Sequence, residues 1–383
     1  MKKEPICYYV TEYPRFENDL QVRSGQLSVK NKCDYIISTL NEIGYKVIVL
    51  SDSRYTGNQF ASPGKIRRLN IKTKLVEFWC FKTEWSVFKY IKNRCCKIQM
   101  YLYMLFKMSK GDNLIVYHDY AYAKAIRLIQ RIKHFNLILE IEDIYHEVWK
   151  IKKRFVQAEI SILKENYKSI VVSETMKSIL NKSNALVSYG SYTIYKGNIE
   201  KNRNKDRIVI VCTGSFDMNR GTGVLALDTI EMLPEKYLLY MSGVVREDSK
   251  EIISNRIKEI NKNAGFEKCK FLGMLGKDDY EKLLLSADIG LNTQIEGDYS
   301  SYIFPSKLIK YLSYNLDVVT TPGDSIINSS LNSCFNITEG YLPEEIARCI
   351  LGIDIGKHED YRNVLKKLHE EYKSGLKQLI ESN

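Results

Sequence analysis

The sequence predicts an α/β protein made of two tandem Rossmann-like domains, each a doubly wound parallel sheet with helices on both faces. Three observations predict this class. Short apolar, β-prone runs alternate with amphipathic helical stretches through most of the chain. A polar segment without apolar periodicity interrupts the series near its middle. The chain has 383 residues, which is more than one ordinary hydrophobic core holds and suits two domains.

Residues 1–190 form the predicted N-terminal domain. The run "ICYYVTEYP" predicts a strand, "LSVKNKCDYIISTLNEIG" a helix ended by Gly44, and "YKVIVLS" a second strand, which together make a βαβ unit. The loop after the first strand carries Gly25, and loops at the carboxyl ends of parallel strands are where such sheets bind ligands. The series continues through three further strands, "NLIVYHDYA", "LILEIED" and "SIVVS".

Residues 191–207 are the predicted linker, because "YKGNIEKNRNKDR" is polar and charged. Residues 208–356 form the predicted C-terminal domain, and residues 357–383 a last amphipathic helix that could pack on either domain. The strands of the second domain are "RIVIVCTGS", "YLLYMSG", "CKFLG", "DIGLNTQ", "LDVVTT" and "CFNIT", each followed or preceded by a helical stretch.

Composition favours a cytoplasmic protein. The nine cysteines form no C-x-x-C pair and no metal-ligand spacing with the five histidines, which is typical of reduced thiols. The N-terminus turns polar and acidic before any long apolar run, so no signal peptide is predicted. No window approaches 18 uninterrupted apolar residues, so no membrane-spanning helix is predicted.

The net charge of +11 is concentrated in the first half of the chain. Residues 1–190 carry +14 and residues 191–383 carry −3, and residues 54–110 alone contain 13 basic and 2 acidic side chains. This block is interleaved with aromatic residues, so it suits an anionic membrane surface or nucleic acid, and equally a solvated basic face without a partner.

Several common site types are disfavoured. No G-x-G-x-x-G follows the first strand of either half, and no G-x-x-x-x-G-K-[ST] occurs, so a dinucleotide enzyme or a P-loop NTPase is not indicated. There is no Asp-x-Asp, the carboxylate pair that commonly holds a metal against a diphosphate. We therefore expect neither a metal ion nor a cofactor.

Two stretches in the second half suit phosphate binding. "TGSFDMNRGTG" follows a strand and precedes a helix, so its backbone N–H groups and Arg220 could meet phosphate oxygens, although a simple glycine-rich turn would look the same. "FPSK" opens another helix. Pro305 suits a first turn, Ser306 could cap backbone N–H groups, and Lys307 adds a cation where the helix dipole is already positive. Such a helix start favours a bound anion, and a diphosphate fits.

The order and spacing of these pieces resemble the retaining glycosyltransferases of family 4, which have the GT-B fold. The matching stretches are "TGSFDMNRGTGVLAL", "LLYMSG", "CKFLGMLGKDDYEKLLLSADIGLNT" and "FPSKLIKYLSYNLDVVTTP", within residues 208–322. The first half is similar in layout, with "IVYHDY" and "SIVVSETMKSIL" leading to "SYG". The resemblance implies two domains that face a cleft, with the donor bound by the second and the acceptor by the first.

The resemblance also implies site residues. The loop with Gly214, Ser215 and Arg220 would contact the donor diphosphate, and the turn Gly273-Met274-Leu275 would face the nucleotide base. The phosphates and the donor sugar would be held by the helix start at Phe304, Pro305, Ser306 and Lys307. The ribose would lie near Tyr302 and Lys310.

The first half would supply the remaining residues. Gly25 would lie near the donor phosphates and the acceptor, and His118 would face the transferred sugar, although a lone histidine at a strand end is also a common structural hydrogen-bonding residue. Asp119, Glu142 and Asp143 would contact the acceptor, and the last two could equally cap a strand end. His118, Arg220 and Lys307 are the predicted catalytic residues.

Three positions depart from the family pattern. The family often has two glutamates eight positions apart, the second of which holds the ribose, and here Tyr302 and Lys310 occupy these positions. Lysine at the second position removes a carboxylate that would accept the ribose hydroxyls. A basic residue is expected just after Gly214, where this chain has Ser215.

The resemblance implies a sugar transferase that uses a nucleotide diphosphate donor, UDP foremost, without a metal and with retained configuration. The acceptor would be a glycan or a polyprenyl-diphosphate-linked glycan in the assembly of surface or capsular polysaccharide. Residues 54–110 could then contact the inner face of the cell membrane, or a helix within them could simply pack on the first domain. The alternatives are a catalytically silent partner of an active transferase and a nucleotide-sugar epimerase. Nucleic acid binding is the weakest alternative, because no recognition module is present.

Overall fold

The computed structural model describes residues 4–17, 20–25, 27–81, 89–117, 122–148, 152–199, 206–218, 221–297 and 301–382. The chain forms two compact units. Unit 1 comprises residues 1–172, 177–191 and 370–383, and unit 2 comprises residues 173–176 and 192–369.

The strands follow one another along the chain as the alternating pattern predicts, with additional short strands between residues 15 and 81. In unit 1 they are β1 (Ile6–Thr11), β2 (Arg15–Glu17), β3 (Leu20–Arg23), β4 (Lys46–Ser51), β5 (Ala61–Ser62), β6 (Lys65–Arg68), β7 (Thr73–Glu77), β8 (Cys80–Phe81), β9 (Asn113–Tyr117), β10 (Asn136–Ile141), β11 (Lys168–Val171) and β12 (Ala185–Val187). In unit 2 they are β13 (Ile208–Phe216), β14 (Tyr237–Val245), β15 (Cys269–Phe271), β16 (Ile289–Asn292), β17 (Asp317–Thr320) and β18 (Asn336–Ile337).

The helices lie between the strands, as crossover connections of a parallel sheet require. In chain order they are α1 (Leu27–Glu42), α2 (Lys89–Lys107), α3 (Ala123–Lys133), α4 (Tyr145–Val148), α5 (Lys153–Leu163), α6 (Glu174–Ile179), α7 (Thr222–Met232), α8 (Glu247–Ala264), α9 (Lys277–Ser286), α10 (Lys307–Ser313), α11 (Asp324–Ile327), α12 (Pro343–Leu351) and α13 (Tyr361–Glu381), with a 3₁₀ turn at Asn332–Cys334.

Unit 1 is built on an eight-stranded sheet in the order β12-β11-β10-β9-β1-β4-β7-β6. All neighbouring strands are parallel except the edge strand β6, which runs antiparallel to β7 and was not predicted. The central strand β1 is buried from Cys7 onward, because both faces of a parallel sheet are covered and a continuous apolar run is needed there. The strand order reverses between β1 and β9, so a ligand site is expected at the carboxyl ends of these two strands.

Unit 2 is built on a six-stranded, fully parallel sheet in the order β15-β14-β13-β16-β17-β18. Counted along the chain this is the strand order 3-2-1-4-5-6 of the Rossmann fold. Its hydrophobic core joins the sheet to α7, α8 and α12 through buried residues such as Phe216, Leu227, Met241, Ile253 and Ile346. The strand order reverses between β13 and β16.

The last helix, α13, belongs to unit 2 up to residue 369 and to unit 1 from residue 370. Within unit 1 the ring of Tyr372 lies 5.5 Å from that of Tyr35 on α1, and Lys373 Nζ lies 3.8 Å from Glu42 Oε2. A Cβ on Gly375 would lie 2.6 Å from Leu186 Cδ1, so the small residue permits a close approach to β12. The end of the predicted C-terminal helix therefore packs on the N-terminal unit.

None of the helices in the described part of the chain combines the length and the apolar character that crossing a bilayer requires.

Candidate functional site

In unit 2, the carboxyl ends of β13, β14 and the turn after β15 meet at one edge of the sheet, beside the reversal of strand order. Gly214 near the end of β13 is paired in register with Gly243 of β14. Gly243 N–H donates to Gly273 O across 2.9 Å, and Ser242 Oγ donates to the same oxygen across 2.9 Å. The predicted residues Gly214 and Gly273 thus lie at the same edge of unit 2.

These glycines leave backbone at the edge without side chains. Gly214 and Gly273 have φ of +133° and +69°, and an added Cβ would meet no atom within 4 Å at either position, so the space beside them is open. Gly243 differs, because its φ is +145° and a Cβ there would lie 1.8 Å from Gly214 O. The first two provide open backbone that a ligand could approach, and the third permits two strands to come together.

A hydrogen-bonded group of two tyrosines and a threonine, which the sequence did not predict, lies behind this edge. Thr213 N–H donates to Tyr311 Oη across 2.9 Å, and Thr213 Oγ1 lies 3.1 Å from Tyr311 Oη and 3.3 Å from Tyr280 Oη. Burial raises the pKa of both phenols. The three side chains tie α9 and α10 to the end of β13, immediately before Gly214.

Lys307, the first residue of α10, lies near the same strand end. Burial raises the pKa of the Cys212 thiol on β13, and the positive charge of Lys307 opposes that rise. Leu308 N–H donates to Pro305 O across 2.9 Å, so the turn already begins at Pro305. The prediction that Ser306 caps the helix is wrong, because its backbone is helical (φ −56°, ψ −19°) rather than extended and its side chain makes no capping hydrogen bond.

Lys310 is directed toward aromatic and charged side chains of unit 2. Its Nζ lies 4.8 Å from the ring centre of Tyr314, which is stacked on Tyr195 at 5.0 Å. Burial lowers the pKa of the Lys310 ammonium, which Glu281 on α9 counteracts and Lys277 reinforces. A half-buried ammonium on an aromatic face therefore occupies the position where the family pattern has a carboxylate.

The side chains of Tyr302 and Phe304 face the interior of unit 2. Both are buried, at 4% and 3% exposure, and the Phe304 ring lies 6.2 Å from that of Phe335. Tyr302 O accepts a hydrogen bond from Ser173 Oγ across 2.5 Å. By contrast Met274, in the turn predicted to face the base, has 65% of its surface exposed, and Leu275 is half-buried.

In unit 1, Gly25 lies where the chain passes close to an earlier segment. Its φ is +151°, and a Cβ would lie 2.9 Å from Glu12 O and 3.0 Å from the ring of Pro14. The preceding Ser24 is held by Arg54, because Ser24 N–H donates to Arg54 O across 2.8 Å and Arg54 N–H donates to Ser24 Oγ across 2.9 Å. A larger residue than glycine would displace this loop.

A buried charged cluster lies where β1, β10 and α1 meet in unit 1. Glu140 is fully buried, accepts a hydrogen bond from Tyr9 Oη, and has Oε1 4.0 Å from Lys32 Nζ. Lys32 also donates to the predicted acceptor residue Glu142. Cys33 Sγ lies 3.2 Å from Tyr9 Oη. Among the described residues Glu140 Oε1 has no hydrogen-bond partner, so a polar atom is left unsatisfied beneath Glu142.

The charges in this cluster compete. Burial raises the pKa of Glu140 to about 7, against the opposing charge of Lys32. Burial disfavours the charge on Lys32, but the carboxylates of Glu142 and Glu140 outweigh it and raise the pKa of the ammonium. One lysine is thus shared between two carboxylates, and protonation of Glu140 leaves the cluster neutral when Glu142 is ionised.

Glu140→Gln is expected to change the pH dependence of stability. Folding raises the Glu140 pKa from an ordinary 4.5 to about 7, so the folded protein keeps a proton that the unfolded chain releases, and wild-type stability falls as pH rises through this window. The glutamine side chain of the variant has no proton to lose. The unfolding free energy of the variant minus that of wild type, measured by urea unfolding, should therefore increase, by on the order of 2 kcal/mol, between about pH 5 and pH 8. A difference that stays constant with pH would contradict the assignment.

His118, Asp119 and Arg220 lie outside the described residues. Asp143 lies just beyond the end of β10 and is half-buried, and Ser215 lies in β13 with intermediate exposure. Tyr280, Tyr311 and Gly243 were missed. The sequence signal for Tyr311 was its position one helical turn after Lys307, on the same side of α10.

Solved structures of similar fold cover nearly the whole chain. The trehalose-phosphate synthase (UDP-forming) of Burkholderia xenovorans, in complex with glucose-6-phosphate, aligns with a TM-score of 0.68 at 8% identity over 99% of this chain and 100% of its own. The lipopolysaccharide outer core galactosyltransferase WaaB aligns at 0.63 and 12%, over 99% of both chains. The chain has a GT-B fold.

A third GT-B neighbour is HepE of Anabaena in complex with UDP and glucose, with a TM-score of 0.61 and 12% identity over 99% of both chains. No family model matches the sequence, and no curated protein matches it. At these identities the likeness shows the GT-B fold alone. The assignment of candidate site residues therefore rests on the geometry within each unit.

Proposed function

We propose that this protein is a family 4-like retaining glycosyltransferase. It transfers a sugar from a nucleotide diphosphate donor, UDP foremost, to a glycan or polyprenyl-diphosphate-linked glycan in the assembly of surface or capsular polysaccharide. The observation that carries the proposal is the edge of unit 2. The backbone at Gly214 and Gly273 is open at the carboxyl end of the sheet. Lys307 lies close enough to Cys212 on β13, a strand at the reversal of strand order, for its charge to act on that thiol. GT-B neighbours that contain UDP, or are named UDP-forming, support the choice of nucleotide.

In the proposed mechanism, positive charges and backbone N–H groups promote departure of the diphosphate. Lys307 and Arg220 stabilise the negative charge that develops on the leaving group, together with backbone N–H groups at the glycines. The start of α7 suits the same task, because Gly221 precedes it and its first turn contains no acidic residue. The acceptor hydroxyl attacks from the face that the diphosphate leaves, and the departing phosphate takes its proton. His118 faces the transferred sugar, and Asp119, Glu142 and Asp143 hold the acceptor.

Lys307→Ala is expected to weaken nucleotide binding while leaving the fold intact. A charge-assisted hydrogen bond contributes about 1.5–3 kcal/mol, so the dissociation constant for UDP should rise by about 10- to 160-fold. Binding is measured by thermal shift and calorimetry with UDP, GDP and UDP-sugars, followed by a transfer assay that detects released UDP. The matched control is Lys282→Ala on α9, whose side chain is 76% exposed and paired with Asp279.

The proposal fails if wild-type protein is stabilised by no nucleotide or nucleotide sugar. It also fails if Lys307→Ala binds UDP as tightly as Lys282→Ala does. Retention of configuration is read separately from the anomeric proton coupling of the product by NMR.

A second candidate, a catalytically silent partner of an active transferase, is favoured by Lys310. Its ammonium lies against Tyr314 where a carboxylate would accept the ribose hydroxyls. Such a partner would release no UDP from any donor, and it would increase the activity of a transferase that it accompanies.

We further propose that the protein works in the cytoplasm at the inner face of the cell membrane, in peripheral contact through residues 54–110. The excess of basic side chains in this block supports the contact.

A further inference from the structure

Helix α2 of unit 1 has two apolar sides, and one of them is exposed. Cys96, Met100 and Met104 are at most 4% exposed and face the interior of the unit. Ile98, Leu102 and Phe106 are 54%, 46% and 79% exposed. Residues four apart stack on one side of a helix, so these three form a single apolar stripe on the outer surface.

Helix α3 packs against α2 and has the same character. Ile126 and Ile129 are buried, whereas Leu128 and Ile132, again four residues apart, are 60% and 57% exposed. Two neighbouring helices thus expose large apolar side chains that a water-facing surface would not require.

The charges of these helices are all of one sign. Neither α2 nor α3 contains aspartate or glutamate, and together they carry nine lysines and arginines, five on α2 and four on α3. Within the described part of these helices, Lys97 is paired with Asp52 and Arg127 with Glu165. Among the side chains that the structure describes on this surface, the exposed cations are Arg94, Lys107, Lys124 and Arg131.

An aromatic group borders α2. Trp79 is 37% exposed. Its backbone is held to α2, because the backbone N–H donates to Gln99 Oε1 across 3.3 Å and the backbone carbonyl accepts from Gln99 Nε2 across 3.0 Å. Its ring lies 4.2 Å from that of Phe81, which in turn lies 5.4 Å from Phe60, a residue with 53% exposure. Tryptophan is the residue that prefers the boundary between the apolar interior and the headgroups of a bilayer.

We propose that α2 and α3 form a membrane-contact face that lies flat on an anionic bilayer. Ile98, Leu102 and Phe106 insert below the headgroups, and the surrounding cations bind the lipid phosphates.

This proposal specifies the surface that makes the peripheral membrane contact given under the proposed function. It depends on that proposed function only for which membrane is contacted. It narrows the block of residues 54–110 to the outer side of α2 and adds α3, whereas Met100 and Met104 face inward. A second copy of the chain bound through the same face would bring its own Arg94, Lys107, Lys124 and Arg131 against these four exposed cations, so the charge favours lipid.

The test is co-sedimentation with vesicles. Wild-type protein is expected to bind vesicles of phosphatidylcholine with about 30% phosphatidylglycerol, to bind pure phosphatidylcholine at least tenfold more weakly, and to lose affinity as salt increases. Leu102→Ser/Phe106→Ser should bind the anionic vesicles at least tenfold more weakly than wild type. The matched control is Leu342→Ser in unit 2, where the leucine is 60% exposed and lies on neither helix.

The proposal is overturned if wild type ignores anionic vesicles, or if the double variant binds them as wild type does. It is equally overturned if wild type is a dimer in solution that the double variant disperses, because the surface would then belong to a second copy. Retention of a DNA or RNA probe in place of vesicles would assign the cations to nucleic acid. UDP binding measured on the same samples keeps a failure here distinct from a failure of the proposed transferase.

Discussion

Gly243→Ala is expected to destabilise unit 2 by about 4 kcal/mol, because two separate costs arise at one position. The residue has φ +145°, a backbone conformation that residues with a Cβ atom rarely adopt. The new methyl group would also lie 1.8 Å from Gly214 O, a backbone atom that cannot rotate away. The two strands must separate at the point where Gly243 N–H also holds Gly273.

Two other glycines separate these costs. Gly265→Ala at the end of α8 has φ +77° with no atom within 4 Å of the new Cβ, so it carries the conformational cost alone, about 1 kcal/mol. Gly276→Ala has an ordinary φ and open space, so it carries neither of these costs and loses only the preference for glycine over alanine at the N-cap of α9, about 0.5 kcal/mol. In thermal unfolding we expect the melting temperature to fall by about 10 °C for Gly243→Ala, by a few degrees for Gly265→Ala, and by about 1 °C for Gly276→Ala. Equal shifts for Gly243→Ala and Gly265→Ala would show that the strands yield to the methyl group.

The effect of Gly243→Ala should extend to ligand binding. Gly214 and Gly273 are the open backbone positions of the candidate donor site, and both are placed by Gly243. UDP affinity of the folded variant should therefore fall even at a temperature where the protein is still native.

The arrangement of strands in unit 2 was accessible from the sequence because each strand is a short apolar run bounded by polar or glycine residues. The requirement at Gly243 was not accessible, since it arises from a contact with Gly214, 29 positions earlier in the chain. Local patterns specify which residues form a strand, whereas the position that tolerates no side chain depends on which strand lies beside it.

The same limit applies to α2. Its sequence indicates a helix with apolar residues on more than one side, and the structure has a helix there. Periodicity cannot tell which apolar side faces the protein, so the sequence left open whether this helix contacts a membrane or packs on the first domain. In the structure Met100 and Met104 are buried and Phe106 is exposed.

Glu140 illustrates the limit in the candidate acceptor region. The run "LILEIED" indicates a strand whose final carboxylates lie at a ligand-binding edge, and Glu142 is half-buried there. Nothing in the run reveals that Glu140 meets Tyr9 and Lys32 from other elements, which determines its protonation. The prediction that Ser306 caps α10 is wrong for a related reason. A serine suggests that the helix begins after it, whereas the first turn already begins at Pro305.

Glu77→Gln is expected to destabilise unit 1 strongly, because it leaves a buried cation without its counter-charge. Arg23 is fully buried, and its guanidinium donates to Ser53 O, Ser62 Oγ and Phe78 O across 3.1, 3.0 and 3.2 Å. Its Nε lies 3.7 Å from Glu77 Oε1, and Glu77 is itself 3% exposed.

The same carboxylate serves two further arginines. Arg15 Nε and Arg67 Nε donate to its two oxygens across 2.8 and 2.9 Å. Glutamine keeps the shape of glutamate but supplies no negative charge, and only one of its two terminal atoms can accept a hydrogen bond. Breaking a buried ion pair in this way costs about 3–5 kcal/mol, a large part of the stability of an ordinary domain.

Asp279→Asn is the control for loss of a carboxylate as such, since its pair with Lys282 is exposed on both sides and contributes well under about 1 kcal/mol. The double variant Glu77→Gln/Arg23→Met should recover part of the loss, because it removes the buried charge together with its partner. Urea unfolding followed by circular dichroism gives the three free energies. If Glu77→Gln is no more destabilising than Asp279→Asn, the Arg23 charge is hydrated and the buried ion pair does not stabilise the unit.

Because β3 ends at Arg23 and Gly25 follows two residues later, the loss of order in Glu77→Gln should extend to the Gly25 loop and appear as faster amide exchange there.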